Sequence, residues 1–247
     1  MCIHRLAFLL FLHGLASLFV LGQGRVKNLH ILGLFPFRGA FDAGHGIRPA
    51  VELAIEYVNK NSKVLPGYQL NLVVNDTECN SGKVVEILTE RFCSTTTLIT
   101  ILGAGCSVVT EVVAETAYLW NLISISYSSS STTLSDQKQF PGFFRVTVSE
   151  SQMNYARVAI VNHYKWTRVA VLYHSDSIFT KMINNIKILM DENNIMIKRF
   201  LFKKDYRSRL RELKKFDARI IIGGFYMDIG RQVFCEVSII EIISYCS

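Results

Sequence analysis

The chain has 247 residues, of which 50% are hydrophobic and 19% are charged, so it can bury a large core and is not globally disordered. The net charge is +7, and much of the surplus lies in residues 198–215, which we interpret as a solvated basic face. Neither zinc-finger spacing nor an RNP-like motif supports nucleic-acid binding, so we expect no nucleic-acid partner.

Residues 1–22 have the layout of a secretory signal peptide. Arg5 precedes an apolar run over residues 6–20, and the small residues Gly22 and Gly24 follow. We expect cleavage near Gly22. A retained anchor is the alternative, because the run is marginal against the roughly 20 residues of a membrane span. Cleavage would place the mature chain in the secretory pathway.

Strand and helix patterns alternate along the rest of the chain. The predicted strands are 29–37, 68–76, 98–105, 122–128, 168–174, 195–202 and 218–225, and the predicted helices are 47–61, 82–92, 111–121, 154–166, 179–194 and 206–216. The first helix carries one apolar stripe, formed by Ala50, Leu53, Ala54, Tyr57 and Val58. This alternation predicts an α/β fold of parallel sheets with helices on both faces, and a change of lobe within residues 145–153.

The loops after the predicted strands are rich in glycine and serine. Right-handed crossovers bring the carboxyl ends of parallel strands to one edge, where such sheets bind ligands. Ser107 follows one strand and could cap the next helix, and hydroxyl groups cluster again in residues 128–132. Two donor-rich loops suit a small anionic group. The alternative is that these serines only cap helices.

Five cysteines remain after removal of the signal peptide, so at least one lacks a partner within the chain. Cys79 and Cys106 lie at equivalent strand ends, each before a helix, and in an oxidising compartment we interpret them as a disulfide. No pairing is predicted for Cys93, Cys235 and Cys246. None of the five has the spacing of metal ligands.

Motifs for enzymatic chemistry are missing from the sequence. There is no G-x-S-x-G elbow, no P-loop and no G-x-G-x-x-G after a strand. Cys106 could act as a nucleophile, but no ordered histidine and acid accompany it. We therefore expect no catalytic residue, no cofactor and no metal. The one N-x-S/T sequon, at Asn75, predicts a glycosylated surface loop.

Ordered blocks of sequence carry a resemblance to a known family. They include "RPAVELAIEYVN", "LPGYQLNLVVNDTEC", "GAGCSVVTEVVAETAYLWNLISISYSSSSTTLSD" and "VFCEV". From about His30 to Val237 the chain resembles the extracellular ligand-binding domain of metabotropic GABA-B receptors, which are class C G-protein-coupled receptors. The resemblance implies a two-lobed Venus flytrap, similar to type I periplasmic binding proteins, that is a receptor and not an enzyme.

The resemblance also implies a domain organisation. Residues 27–150 would form lobe 1, held by the Cys79–Cys106 disulfide, residues 151–237 an incomplete lobe 2, and residues 238–247 an unmatched tail. The rest of lobe 2 and the seven-helix membrane domain would be missing. We therefore expect a truncated chain that is secreted or retained, whereas the full-length receptor would reach the plasma membrane.

Five positions correspond to ligand contacts of that family. Ser107 and Ser130 match two serines that contact the ligand carboxylate, and Tyr226 matches a tyrosine of lobe 2. Phe41 and Thr147 stand where the ligand-binding subunit has a tryptophan and a histidine. The glutamate that holds the ligand ammonium would lie beyond the matched region, so we expect weak or no GABA binding by this chain alone.

Three functions remain open at this point. The first is a receptor domain for a small GABA-like amino acid, which forms a heterodimer with a second subunit through lobe 1 and reaches a G protein through the membrane domain. The second is a binding-incompetent partner subunit, favoured by Phe41 and Thr147 and opposed by Ser107 and Ser130. The third is a soluble secreted amino-acid binder or decoy.

Overall fold

The computed structural model describes residues 26–216 and 220–239, which form alternating strands and helices. The predicted signal peptide and Cys246 lie outside the described residues. In chain order the elements are β1 (Lys27–Phe35), α1 (Gly44–Lys60), β2 (Tyr68–Asp76), α2 (Ser81–Phe92), β3 (Leu98–Leu102), α3 (Ser107–Leu119), β4 (Ile123–Ser126), a 3-10 turn (Thr133–Ser135), β5 (Phe143–Arg145), α4 (Glu150–His163), β6 (Arg168–His174), α5 (Ser177–Glu192), β7 (Met196–Phe202), α6 (Tyr206–Phe216), β8 (Ile220–Gly224) and α7 (Met227–Ile239).

The strands form two parallel sheets, which confirms the predicted α/β class. Sheet 1 has the order β2-β1-β3-β4-β5, and sheet 2 has the order β7-β6-β8. Every neighbouring pair of strands in both sheets is parallel. All carboxyl ends within a sheet therefore share one edge, which is the geometry that places the strand-end loops together.

Each predicted strand and helix is present, but two elements were missed. Strand β5 has only three residues, which is too short to show a period. Helix α7 starts within a segment that looked like a loop, although its buried Val233 and Val237 are one turn apart. Helix α4 starts four residues earlier than predicted because the Ser149 hydroxyl accepts a hydrogen bond from the Gln152 amide and caps it.

Sheet 2 is covered by helices on both faces. Residues alternate along β6, so Val169 and Val171 pack with α4 and α5, whereas Ala170 and Leu172 pack with α6 and α7. The two cores are completed by fully or nearly buried helical residues, among them Val158, Ile183, Ile186, Leu210, Leu213 and Val233. This sheet and helices α4 to α7 are called unit 2 below.

Sheet 1 with α1, α2 and α3, called unit 1 below, is covered less evenly. Its main core lies on the side of α2 and α3, where Leu32, Leu34 and Ile101 are fully buried. Helix α1 lies against β1 and β2, but the apolar stripe noted in its sequence is mostly exposed: Leu53 is 67% exposed and Tyr57 71%. The less exposed residues are Ile47, Val51, Ile55 and Val58. The helix has two apolar sides, and periodicity cannot tell which of them packs on the sheet.

Candidate functional site

The loops after β1, β3 and β4 meet at one edge of sheet 1. Residues 103–107 and 126–131, named the serine edge below, are joined by hydroxyl donors. The Ser126 hydroxyl donates to the Ala104 carbonyl at 2.7 Å, and the Ser128 hydroxyl donates to the Gly105 carbonyl at 2.9 Å. The buried carbonyl groups of the strand end thereby find partners, which makes the edge rigid.

Tyr127 links this edge to β1. Its phenol donates to the Leu34 carbonyl at 2.8 Å, and its ring stacks on Phe35 with centroids 5.9 Å apart. Burial raises the pKa of Tyr127, so the phenol stays protonated and remains a donor at physiological pH.

Glycine is required where the chain leaves β3. Gly103 has a φ of +119°, and a Cβ there would lie 2.4 Å from the Leu34 carbonyl oxygen. A Cβ at Gly105 would lie 2.9 Å from the Tyr127 ring. The glycines of "GAGCS" therefore let the serine edge pack against β1 and the next loop.

The disulfide between Cys79 and Cys106 is present and confirms the predicted pair. It joins the loop after β2 to the start of α3, which keeps the next residue, Ser107, at the serine edge. Cys93 and Cys235 are exposed free thiols.

Ser107 does not cap α3, so that expectation is wrong. Cys106 is the N-cap, and Ser107 is already the first helical residue. Its hydroxyl oxygen instead accepts the Ser131 amide at 3.2 Å, across the serine edge. Accepting that bond leaves the hydroxyl proton free to donate to a ligand, and the amide groups of the first turn of α3 add positive potential.

Ser130 lies beside this contact in the second loop. Its carbonyl accepts the Glu150 amide at 2.8 Å, which holds its backbone. Among the residues that the structure describes, the Ser130 hydroxyl has no hydrogen-bond partner, and the residue is partly exposed. Ser107 and Ser130 are thus close in the fold, and neither hydroxyl donates to an acceptor among the described residues. Ser107 is 4% exposed, whereas Ser130 is partly exposed.

Thr147 lines an open cleft of about 470 Å³ next to the serine edge, together with Phe144, Arg145 and Ser151. Arg145 donates to the Ser131 carbonyl at 2.9 Å and also bonds the Ser135 hydroxyl. Burial lowers the pKa of the Arg145 guanidinium from its usual value. Sequence reasoning missed Arg145, which lies at the end of β5 and holds the loop after β4 through these hydrogen bonds.

The other two predicted contacts lie elsewhere. Tyr226 follows β8 in unit 2, with its ring 5.0 Å from that of Phe179. Burial, with a smaller contribution from Asp176, raises the pKa of Tyr226, so its hydroxyl is kept as a donor. Phe41 packs partly buried against the core of unit 1. Among the described residues, no hydrogen bond or ring contact joins Tyr226 or Phe41 to Ser107.

The surface-loop placement predicted for Asn75 is wrong. Asn75 belongs to β2, and its side-chain Nδ2 atom is enclosed without a hydrogen-bond partner. Thr77, the third residue of the sequon, is fully buried. Tripeptide matching detects the sequon but not its burial, and a glycan on Nδ2 needs space that this strand does not provide.

We therefore expect Asn75 to carry no glycan in the folded chain. Treatment of the protein from a glycosylating host with an endoglycosidase should leave its electrophoretic mobility unchanged, and the mobility of Asn75→Gln should match that of the unmodified chain. A mobility shift on treatment that is lost in Asn75→Gln would contradict this prediction and require β2 to open.

Comparisons with known proteins agree with the fold. Residues 46–245 match the family model of the receptor family ligand binding region. The chain is 39% identical over 212 residues to gamma-aminobutyric acid type B receptor subunit 1 of Mus musculus, covering 85% of this chain and 22% of that protein. For subunit 1 of Caenorhabditis elegans the identity is 34% over 212 residues, covering 85% of this chain and 24% of that protein. The chain is also 32% identical over 213 residues to gamma-aminobutyric acid type B receptor subunit 2 of Rattus norvegicus, covering 84% of this chain and 22% of that protein.

The chain thus spans less than a quarter of the length of these relatives. Within residues 26–216 and 220–239, no helix is both long and apolar enough to cross a bilayer. The same residues contain no group of three or more histidine, cysteine or acidic side chains placed to hold a metal ion.

Proposed function

The chain belongs to the family of receptor ligand-binding regions, and from that premise we propose that it is part of the ligand-binding region of a GABA-B-type receptor. The ligand is a small amino acid similar to GABA. The Ser107 and Ser130 hydroxyls bind its carboxylate at the serine edge. Units 1 and 2 correspond to lobe 1, residues 27–150, and to a partial lobe 2, residues 151–237.

The single observation that carries this proposal is the pair of free hydroxyl protons beside the start of α3. The Ser107 oxygen already accepts the Ser131 amide, so its proton is left for an incoming acceptor. A charge-assisted hydrogen bond to a carboxylate is stronger than one between neutral groups. Tyr226, on unit 2, supplies a further donor that reaches the ligand when the two units close around it.

In the whole protein, ligand binding acts on other parts. The proposal includes a second receptor subunit that pairs with lobe 1, and a G protein reached only through a membrane domain. The full-length receptor is at the plasma membrane, and this chain enters the secretory pathway. The proposed role is that of a receptor and not of an enzyme, and the names of its relatives, which are receptors, support it.

Binding by this chain alone is expected to be weak. Titration with GABA, followed in ¹H–¹⁵N spectra, should shift the amide signals of residues 103–107 and 126–131 with a Kd on the order of 1 mM. Ser107→Ala should raise that Kd about tenfold because one charge-assisted hydrogen bond is lost. Ser62→Ala, at an exposed turn after α1, serves as the matched control.

Two results would count against the proposal. Shifts of equal size in Ser107→Ala would remove Ser107 from the site, and a spectrum that does not change with GABA would remove the ligand class. A Kd in the micromolar range would support the site and contradict the expected weakness.

A binding-incompetent partner subunit is the second candidate. By the resemblance, it is favoured by Phe41 and Thr147, which stand where the ligand-binding subunit has a tryptophan and a histidine. Phe41 packs against the core of unit 1, and Thr147 lines the cleft beside the serine edge. In that case the same titration gives no shifts, while the chain still associates with a second subunit. A secreted decoy differs from both, because it binds the ligand and needs no partner.

A further inference from the structure

One ion pair joins the two units close to the serine edge. Glu111 lies on α3 of unit 1 and Lys181 on α5 of unit 2, and these two helices contact each other. The Lys181 ammonium is 2.9 Å from one carboxylate oxygen of Glu111 and 3.0 Å from the other. The Lys181 side chain is 36% exposed and that of Glu111 is 24% exposed, so water screens the pair only in part.

The same carboxylate also holds the second serine loop. The Ser131 hydroxyl donates at 2.8 Å to Oε1 of Glu111, the carboxylate oxygen that is 2.9 Å from the Lys181 ammonium. The Ser131 amide in turn donates to the Ser107 hydroxyl oxygen at 3.2 Å. A continuous set of hydrogen bonds therefore runs from Lys181 in unit 2 to Ser107.

We propose that Glu111 and Lys181 are positioning residues for the serine edge, through which contact between the units orders the carboxylate-binding hydroxyl. Lys181 fixes the Glu111 carboxylate, the carboxylate fixes Ser131, and the Ser131 amide fixes the rotamer of Ser107. The role of this ion pair in ligand binding rests on the function proposed above. When the units move apart, Lys181 withdraws, Glu111 keeps no charged partner, and the serine loop loosens.

This pair differs from the other lysine pair on the same helix. Lys187 pairs with Asp191 one turn away on α5, at exposed positions. That pair stays within one helix and contacts no loop of unit 1. Exposed pairs of this kind contribute little, so Lys187 is a matched control for removal of a lysine charge from α5.

The test measures hydrogen exchange at the Ser131 amide of the full chain without any ligand. Lys181→Met should speed exchange about fivefold, because local opening loses a partly buried ion pair. Lys181→Arg should restore the slow rate, and Lys187→Met should leave it unchanged. Amides of β6 report that unit 2 is intact in each variant.

Glu111→Gln separates the ion pair with Lys181 from the hydrogen bond with Ser131. The amide oxygen of glutamine still accepts from Ser131 but has no charge for Lys181, so its exchange rate should match that of Lys181→Met. Equal exchange in Lys181→Met and Lys187→Met would overturn the proposal. Faster exchange in Glu111→Gln with no change in Lys181→Met would also overturn it, because Glu111 would then act within unit 1 alone. Since no ligand is present, a failure here is distinct from a failure of the GABA titration.

Discussion

Replacing both Cys79 and Cys106 with alanine is expected to lower the free energy of unfolding of unit 1 by about 3 to 4 kcal/mol. The disulfide closes a loop with a sequence separation of 27 residues, and breaking it returns conformational freedom to the unfolded chain. It also joins the loop after β2 to the start of α3, beside which the serine edge lies. Unit 1 should therefore lose more stability than unit 2.

The two tryptophans of the chain allow this to be measured for each unit. Trp120 stacks on Phe92 in unit 1 with centroids 4.5 Å apart, and Trp166 stacks on Tyr164 in unit 2 at 4.9 Å. In a Trp166→Phe background, urea unfolding followed by fluorescence reports on unit 1 alone. Cys93→Ala, which removes an exposed free thiol, is the control and should change nothing.

Reduction of the unmodified chain should reproduce the loss seen in the double alanine variant. The prediction is wrong if the variant loses less than about 1 kcal/mol, because the loop-closure effect would then be offset by structure in the unfolded chain.

Gly103→Ala is expected to destabilise unit 1 by about 3 kcal/mol. The new Cβ would meet the Leu34 carbonyl at 2.4 Å, and the φ of +119° is one that side chains rarely adopt. Relief requires β1 and the end of β3 to separate, which also moves the serine edge. The variant should therefore lose the GABA-induced shifts as well as stability.

Gly46→Ala is the matched control for this change. Gly46 lies in α1, and nothing lies within 4 Å of a Cβ placed there. Alanine at that position should be neutral or stabilise the helix by up to about 1 kcal/mol. Equal urea midpoints for the two variants would contradict the prediction, because the close contact and the φ at Gly103 would then not affect stability.

The fold followed from local patterns to a large extent. β2 and β6 have the predicted bounds because the apolar residues alternate in β2 and are consecutive within β6, and clear breaks flank both strands. Helix bounds were less exact, as α3 and α4 both start four residues early. Their first turns contain serine, threonine and glutamate, and these polar residues obscure the 3.6-residue apolar period of a helix. The Ser149 cap depends on the folded backbone and is not visible as a period in the sequence.

The candidate site was predicted in part. The two hydroxyl-rich loops follow β3 and β4, which are neighbours in sheet 1, so a parallel sheet alone brings them together. Arg145 was missed because its role depends on β5, a strand of three residues. The roles of Ser107, Ser130, Tyr226, Phe41 and Thr147 in ligand binding remain predictions.

The order of all strands and helices except β5 and α7, the parallel pairing and the Cys79–Cys106 disulfide could be obtained from the sequence alone. Each depends on short-range periodicity or on strand ends that the topology brings to one edge. Only three-dimensional packing decided the hydrogen-bond partners of the serine hydroxyls and the ion pair between the two units. The Ser131 amide reaches Ser107 across 24 residues, and Lys181 reaches Glu111 across 70. Contacts between such distant segments depend on how helices pack on two separate sheets, and no local pattern encodes that distance.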